Sequence, residues 1–126
     1  MENEDKKKVL VVDDDENLRL VLLDKLNMSG FYAIGAPNGE EGLEKALKLH
    51  PDVTLLDIMM PVMNGWDMLK KLREDEWGKK AKVIMLTVVE DTEAIARAVE
   101  DGSFAYLIKT NESTDEDIEK VKAMLK

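Results

Sequence analysis

At 126 residues and 44% hydrophobic composition, the chain is long enough to bury one domain core. A net charge of −9 excludes nucleic acid as the direct partner of this domain, since phosphate binding needs a basic face, and an acidic protein that handles phosphate needs a cation. With no cysteine there is no disulfide framework, thiolate metal site or thiol nucleophile; the charged opening is unlike a signal peptide and no apolar run approaches membrane-spanning length, so the expected location is cytoplasmic.

The first apolar run, Val9 to Val12, reads as a strand and ends in Asp13-Asp14-Asp15. From Asn17 to Met28, Leu18, Val21, Leu22 and Leu26 recur at helical spacing, with Asp15 as N-cap and Gly30 as stop. Phe31 to Ala36 is a short β-type run closed by Pro37. Asn38, with Glu41 three residues on, then opens a helix through Leu43, Ala46 and Leu47 that ends at His50-Pro51. Val53 to Leu56 is a buried strand that runs into Asp57, followed by a turn containing Pro61 and Asn64-Gly65.

Gly65 to Glu74 carries Met68, Leu69 and Leu72 at helical spacing. Ala81 to Leu86 is a fourth buried run ending at Thr87. Asp91 to Asp101 reads as a helix stopped by Gly102, and Phe104 to Ile108 as a fifth strand ending at Lys109. Ser113 and Glu116 form a capping box for a last helix bearing Ile118, Val121, Met124 and Leu125.

Five strand-then-helix units across residues 1–126 predict one α/β domain: a doubly wound, flavodoxin-like (βα)5 fold with a parallel sheet in the order 2-1-3-4-5. The ligand crevice of such a sheet lies at the carboxyl ends of strands 1 and 3. Asp13-Asp14 and Asp57 end those strands, and Thr87 and Lys109 end strands 4 and 5.

Three carboxylates at one crevice repel one another unless a cation neutralises them. An all-oxygen donor set indicates a hard ion, and Mg2+, which keeps several waters and uses one or two carboxylates, suits it. A carboxylate flanked by Mg2+, an ammonium and a hydroxyl is equipped to attack a phosphoryl group, and the product would be an aspartyl phosphate.

The segments VLVVDDDE, LLDIMMPVMNG, VIMLT and GSFAYLIK resemble the motifs of the response-regulator receiver domain of two-component signalling, across essentially the whole chain. The resemblance implies a single-domain, chemotaxis-regulator-like phosphoprotein that is not an enzyme beyond catalysing its own aspartyl phosphorylation and dephosphorylation. Asp57 would be the phosphoacceptor. Asp14, Asp57 and the Met59 carbonyl would ligate Mg2+ directly, with Asp13 acting nearby or through water. Thr87 and Lys109 would hold the phosphoryl oxygens, and Tyr106 would be the aromatic switch that turns inward as Thr87 moves.

The implied partners are a histidine kinase or histidine phosphotransfer domain and an unknown output protein, with a phosphorylation-dependent dimer as a further family possibility. Leu20 and Leu23 project opposite the core-facing set of the first helix, the helix that docks the phosphodonor in the family. Two positions depart from the family pattern: Thr110 stands where a cis-proline is usual, and Val88 where a small residue is usual. They motivate the alternative of a non-phosphorylated pseudo-receiver. Met59 and Val89 flank the position of the hydrolytic water in the family, and neither orients a water, which predicts slow self-dephosphorylation.

Overall fold

Val9, Leu10, Val11 and Val12 are all fully or almost fully buried, which requires a strand covered on both faces. The structure, a computed structural model, describes residues 6–87, 105–108 and 115–125. Its strands are β1 (Lys8–Val12), β2 (Tyr32–Ala36), β3 (Val53–Asp57), β4 (Val83–Thr87) and β5 (Ala105–Ile108). They form a parallel sheet in the order β2-β1-β3-β4-β5. The helices are α1 (Glu16–Met28), α2 (Gly39–Leu49), α3 (Gly65–Arg73) and a C-terminal helix (Asp115–Met124), with a 3-10 turn at Gly78–Lys80. The helix expected over 91–101 and the cap at Ser113 lie outside the described residues.

Alternation along the strands sorts the core into two layers. Leu10, Val12, Leu56 and Met85 face α2 and α3, where they meet Ala46, Met68, Leu69 and Leu72. Val9, Val11, Leu55 and Ile84 face the other way, onto Leu22, Leu26, Ile118 and Val121. Winding in both directions from β1 and β3 puts a helix layer on each face and all the described strand carboxyl ends on one edge.

The helix starts carry the expected caps at Asp15 and Asn38 and a further one at Asn64. The side chains of Asp15, Asn38 and Asn64 accept from the backbone N–H groups of Leu18, Glu41 and Asp67, at 3.1, 2.9 and 2.9 Å. Gly30, at φ +97°, takes the left-handed step after α1.

The inward face of α1 is rotated from the expected one. Leu22 and Leu26 are buried and Leu18 packs beside them, but Val21 is 45% exposed, and Leu23 turns in against Gly35 on β2. At 100° per residue, a stripe centred on Leu22 and Leu26 brings one flank, Leu23, onto the edge strand and turns the other flank, Val21, to water. Leu20 is exposed, as expected.

Candidate functional site at the carboxyl edge of the sheet

Asp13 follows the last residue of β1 and extends its ladder by one bond, its N–H donating to the Ala36 carbonyl at 3.1 Å. Its Oδ1 accepts from the Asp15 N–H at 2.9 Å, a side-chain turn that leads the chain into α1 and directs the intervening Asp14 to the exposed edge. Asp57 is the last residue of β3, paired in register with Leu86 and 1% exposed. A carboxylate at the end of a two-sided strand is costly to bury unless a cation or hydrogen bonds compensate it. Carboxylate oxygens of Asp13, Asp14 and Asp57 lie within 4.8 Å of one another.

The loop between β3 and α3 closes the other side of the site. The Gly65 N–H donates to the Ile58 carbonyl at 2.9 Å, and a Cβ at position 65 would overlap the Asp57 carbonyl oxygen. Only glycine lets the start of α3 approach the end of β3 this closely. Between those pins, the Met63 N–H donates to the Pro61 carbonyl at 2.8 Å around Val62 at φ +70°, a three-residue γ-turn. Met59 stands on the loop 69% exposed, while Met60 is buried.

Of the other expected site residues, Thr87 ends β4 opposite Ile108, and Tyr106 lies in β5 opposite Met85. Thr87 is therefore on the same sheet edge as Asp57, one register step beyond Leu86. Lys109 follows Ile108 and lies outside the described residues, as do Val88, Val89 and Thr110.

Two features were not anticipated. Arg19 donates from Nη1 to the Asp13 carbonyl at 2.6 Å, bringing a guanidinium to the rim of the acidic cluster. Its position six residues after Asp13, one turn into α1, was the available signal. The left-handed Val62 was the other, and a β-branched residue offers no sequence cue for that conformation.

At the opposite edge of the sheet the chain is tied down. Arg73 donates from Nη1 to the carbonyls of Gly78 and Ala81, at 2.7 and 2.8 Å, and burial lowers its pKa from the usual guanidinium value. His50, in the left-handed C-cap of α2, stacks on Trp77 with ring centroids 4.3 Å apart.

A parallel, doubly wound sheet with a carboxylate trio at its carboxyl edge defines a flavodoxin-like domain carrying an acidic site suited to a hard cation. The sequence pattern of the response regulator receiver domain matches residues 9–121, and the chain belongs to that family, a class of signalling modules of two-component systems. It is 34% identical over 104 residues to the chemotaxis protein CheY of Thermotoga maritima, covering 82% of this chain and 85% of that protein. It is 37% identical over 106 residues to the probable transcriptional regulator ycf27 of Guillardia theta, covering 84% of this chain but only 41% of that protein.

Among solved structures, the response regulator TrrA of Thermotoga maritima, in complex with Mg(2+)-BeF, superposes with a TM-score of 0.81. It shares 34% identity, with 94% of this chain and 98% of that one covered. Receiver domains bind Mg2+ at an acidic Asp cluster, and Asp13, Asp14 and Asp57 form such a cluster here. No described helix is long and apolar enough to cross a membrane.

Proposed function

We propose that Asp57 accepts a phosphoryl group from the phosphohistidine of a histidine kinase or histidine phosphotransfer domain, in a Mg2+-dependent step, and that the resulting aspartyl phosphate switches an output surface. The observation that carries this reading is the convergence of Asp13, Asp14 and Asp57 within 4.8 Å at the tip of a buried strand. Asp14, Asp57 and the Met59 carbonyl would hold the ion, with Asp13 nearby or through water. When bound, Mg2+ supplies positive charge to the phosphoryl oxygens. Thr87 and Lys109 would contact those oxygens, and Thr87 with Tyr106 would relay the change.

The protein catalyses only its own phosphorylation and dephosphorylation, and Met59 and Val89 make the second of these slow. A complete (βα)5 fold with a fourth helix over 91–101, a cytoplasmic location, an output protein and a phosphorylation-dependent dimer belong to the same proposal.

Intact mass after incubation with a small phosphodonor, with and without Mg2+, tests it. One phosphoryl adduct that requires both Mg2+ and Asp57 is the expected result. An adduct of equal yield in Asp57→Asn, or none in a folded wild type that binds Mg2+, would overturn it.

A further inference from the structure

Helix α2 begins at Gly39, buried against the β3–α3 loop. A Cβ built at position 39 would overlap the Met63 carbonyl oxygen and lie 3.0 Å from both the carbonyl carbon and the Cβ of Met63. The overlap is with backbone, which no side-chain rotation relieves. Either the helix or the loop would have to move.

The helix is the better anchored of the two. Asn38 caps it, and Lys45 Nζ donates to the Gly35 carbonyl at 2.6 Å. One turn on, Gly42 is seated so closely that a Cβ there would lie 2.8 Å from both Val12 methyl carbons. The loop is held at its ends, where the Gly65 N–H meets the Ile58 carbonyl, and by Met60 and Met63, which pack into the core, while Met59, Pro61 and Val62 at its crest are exposed. A displacement imposed at Met63 is therefore absorbed between residues 59 and 64.

We propose that Gly39 is a positioning residue: by admitting the Met63 carbonyl against the start of α2, it sets the path of the β3–α3 loop and so the placement of Met59 at the metal edge. This rests on the proposed Mg2+ site. It makes α2, which contributes no ligand, a determinant of metal affinity. Outer contacts that orient ligands are commonly worth 10- to 100-fold in metal binding, and the expected loss for Gly39→Ala is on the order of tenfold.

The test is Mg2+ titration of Gly39→Ala followed by 1H–15N NMR, beside the wild type and Lys48→Gly. The last is a surface change that weakens the same helix far from the loop, through propensity and the loss of a charge in its last turn. In Gly39→Ala the amide resonances of residues 59–64 should move before any metal is added, and the Mg2+ Kd should rise about tenfold. Lys48→Gly should leave both unchanged.

An unmoved loop, or a moved loop with wild-type affinity, would overturn the proposal. Absence of Mg2+ binding in the wild type would instead overturn the metal reading on which it stands. If Gly39→Ala does not fold, the wild type still decides. Mg2+ should then shift the Gly39 and Met63 amides along with those of the ligand loop, since coupling is reciprocal, and a silent Gly39 amide would refute it.

Discussion

Val62 stands at φ +70° and is 77% exposed. A β-branched residue held in this region stores roughly 1–3 kcal/mol. Because the side chain is mostly in water, removing it forfeits little burial. Val62→Gly relieves the strain but enlarges the conformational entropy of the unfolded chain, a cost of about 0.5–1 kcal/mol. The net expectation is a stabilisation of about 1 kcal/mol, and a melting temperature higher by about 4 °C for a chain of this size.

Differential scanning calorimetry in metal-free buffer measures this directly. Val62→Asn, which tolerates the left-handed region, should fall between glycine and valine. Val62→Ala, which keeps a Cβ but loses the branch, should gain less than glycine. A Val62→Gly protein that melts at or below the wild-type temperature would show that the γ-turn is unstrained.

Further outcomes follow from particular contacts. Thr54 Oγ1 is buried in β3 with no hydrogen-bond partner among the described residues. Thr54→Val should therefore raise stability in urea titration by about 1 kcal/mol. Leu22→Ala should cost about 2–5 kcal/mol, whereas Leu20→Glu, on the exposed face of α1, should leave the melting temperature and phosphorylation by a small donor unchanged while slowing transfer from a histidine kinase.

Asp14→Asn should raise the melting temperature of the metal-free protein by relieving repulsion within the trio. It should also shrink the stabilisation expected from Mg2+ on the proposed site, which for the wild type would be about 1.4 kcal/mol at ten times the Kd. Arg73→Met should destabilise by about 1.5–3 kcal/mol by stripping a charged donor from the Gly78 and Ala81 carbonyls, with no effect on Mg2+ affinity in calorimetric titration.

The parallel sheet and the acidic trio were legible because each is written in local pattern. Apolar runs that end in acid fall at the same edge in any doubly wound sheet, so Asp13, Asp14 and Asp57 meet wherever the strand order is right. The caps at Asp15 and Asn38 were legible for the same reason, being set by side-chain oxygens within three residues of their donors, and Asn64, read only as part of a turn, caps α3 in the same way. What could not be read depends on rotation and close approach. Periodicity fixes that α1 has a buried stripe, but the crossing of the helix over β2 decides that Leu23 turns in and Val21 out. The Gly39–Met63 approach joins segments 24 residues apart, and no periodicity or composition encodes it.

The two edges of the sheet differ in how they are held together. At the amino edge the Asp52 N–H donates to the Lys8 carbonyl at 2.8 Å while Asp52 Oδ2 accepts from the Lys8 N–H at 2.7 Å, and Lys82 Nζ meets the Met124 carbonyl at 2.7 Å. Arg73 and the His50–Trp77 stack add further ties there. The carboxyl edge gathers the like-charged trio and the left-handed Val62. Like charge and a strained β-branched residue gathered at one place mark a site kept for chemistry, with stability supplied elsewhere in the fold. Hydrogen exchange reads the asymmetry among bonded amides. Without metal, Ile58, whose bond to the Leu86 carbonyl spans 3.3 Å, and Gly65 should open more readily than Asp52. Mg2+ should slow exchange at Ile58 and Gly65 and leave Asp52 unchanged. Equal protection at both edges, or a metal effect spread evenly over the sheet, would mean that the trio and the strained loop are not a separate cooperative unit.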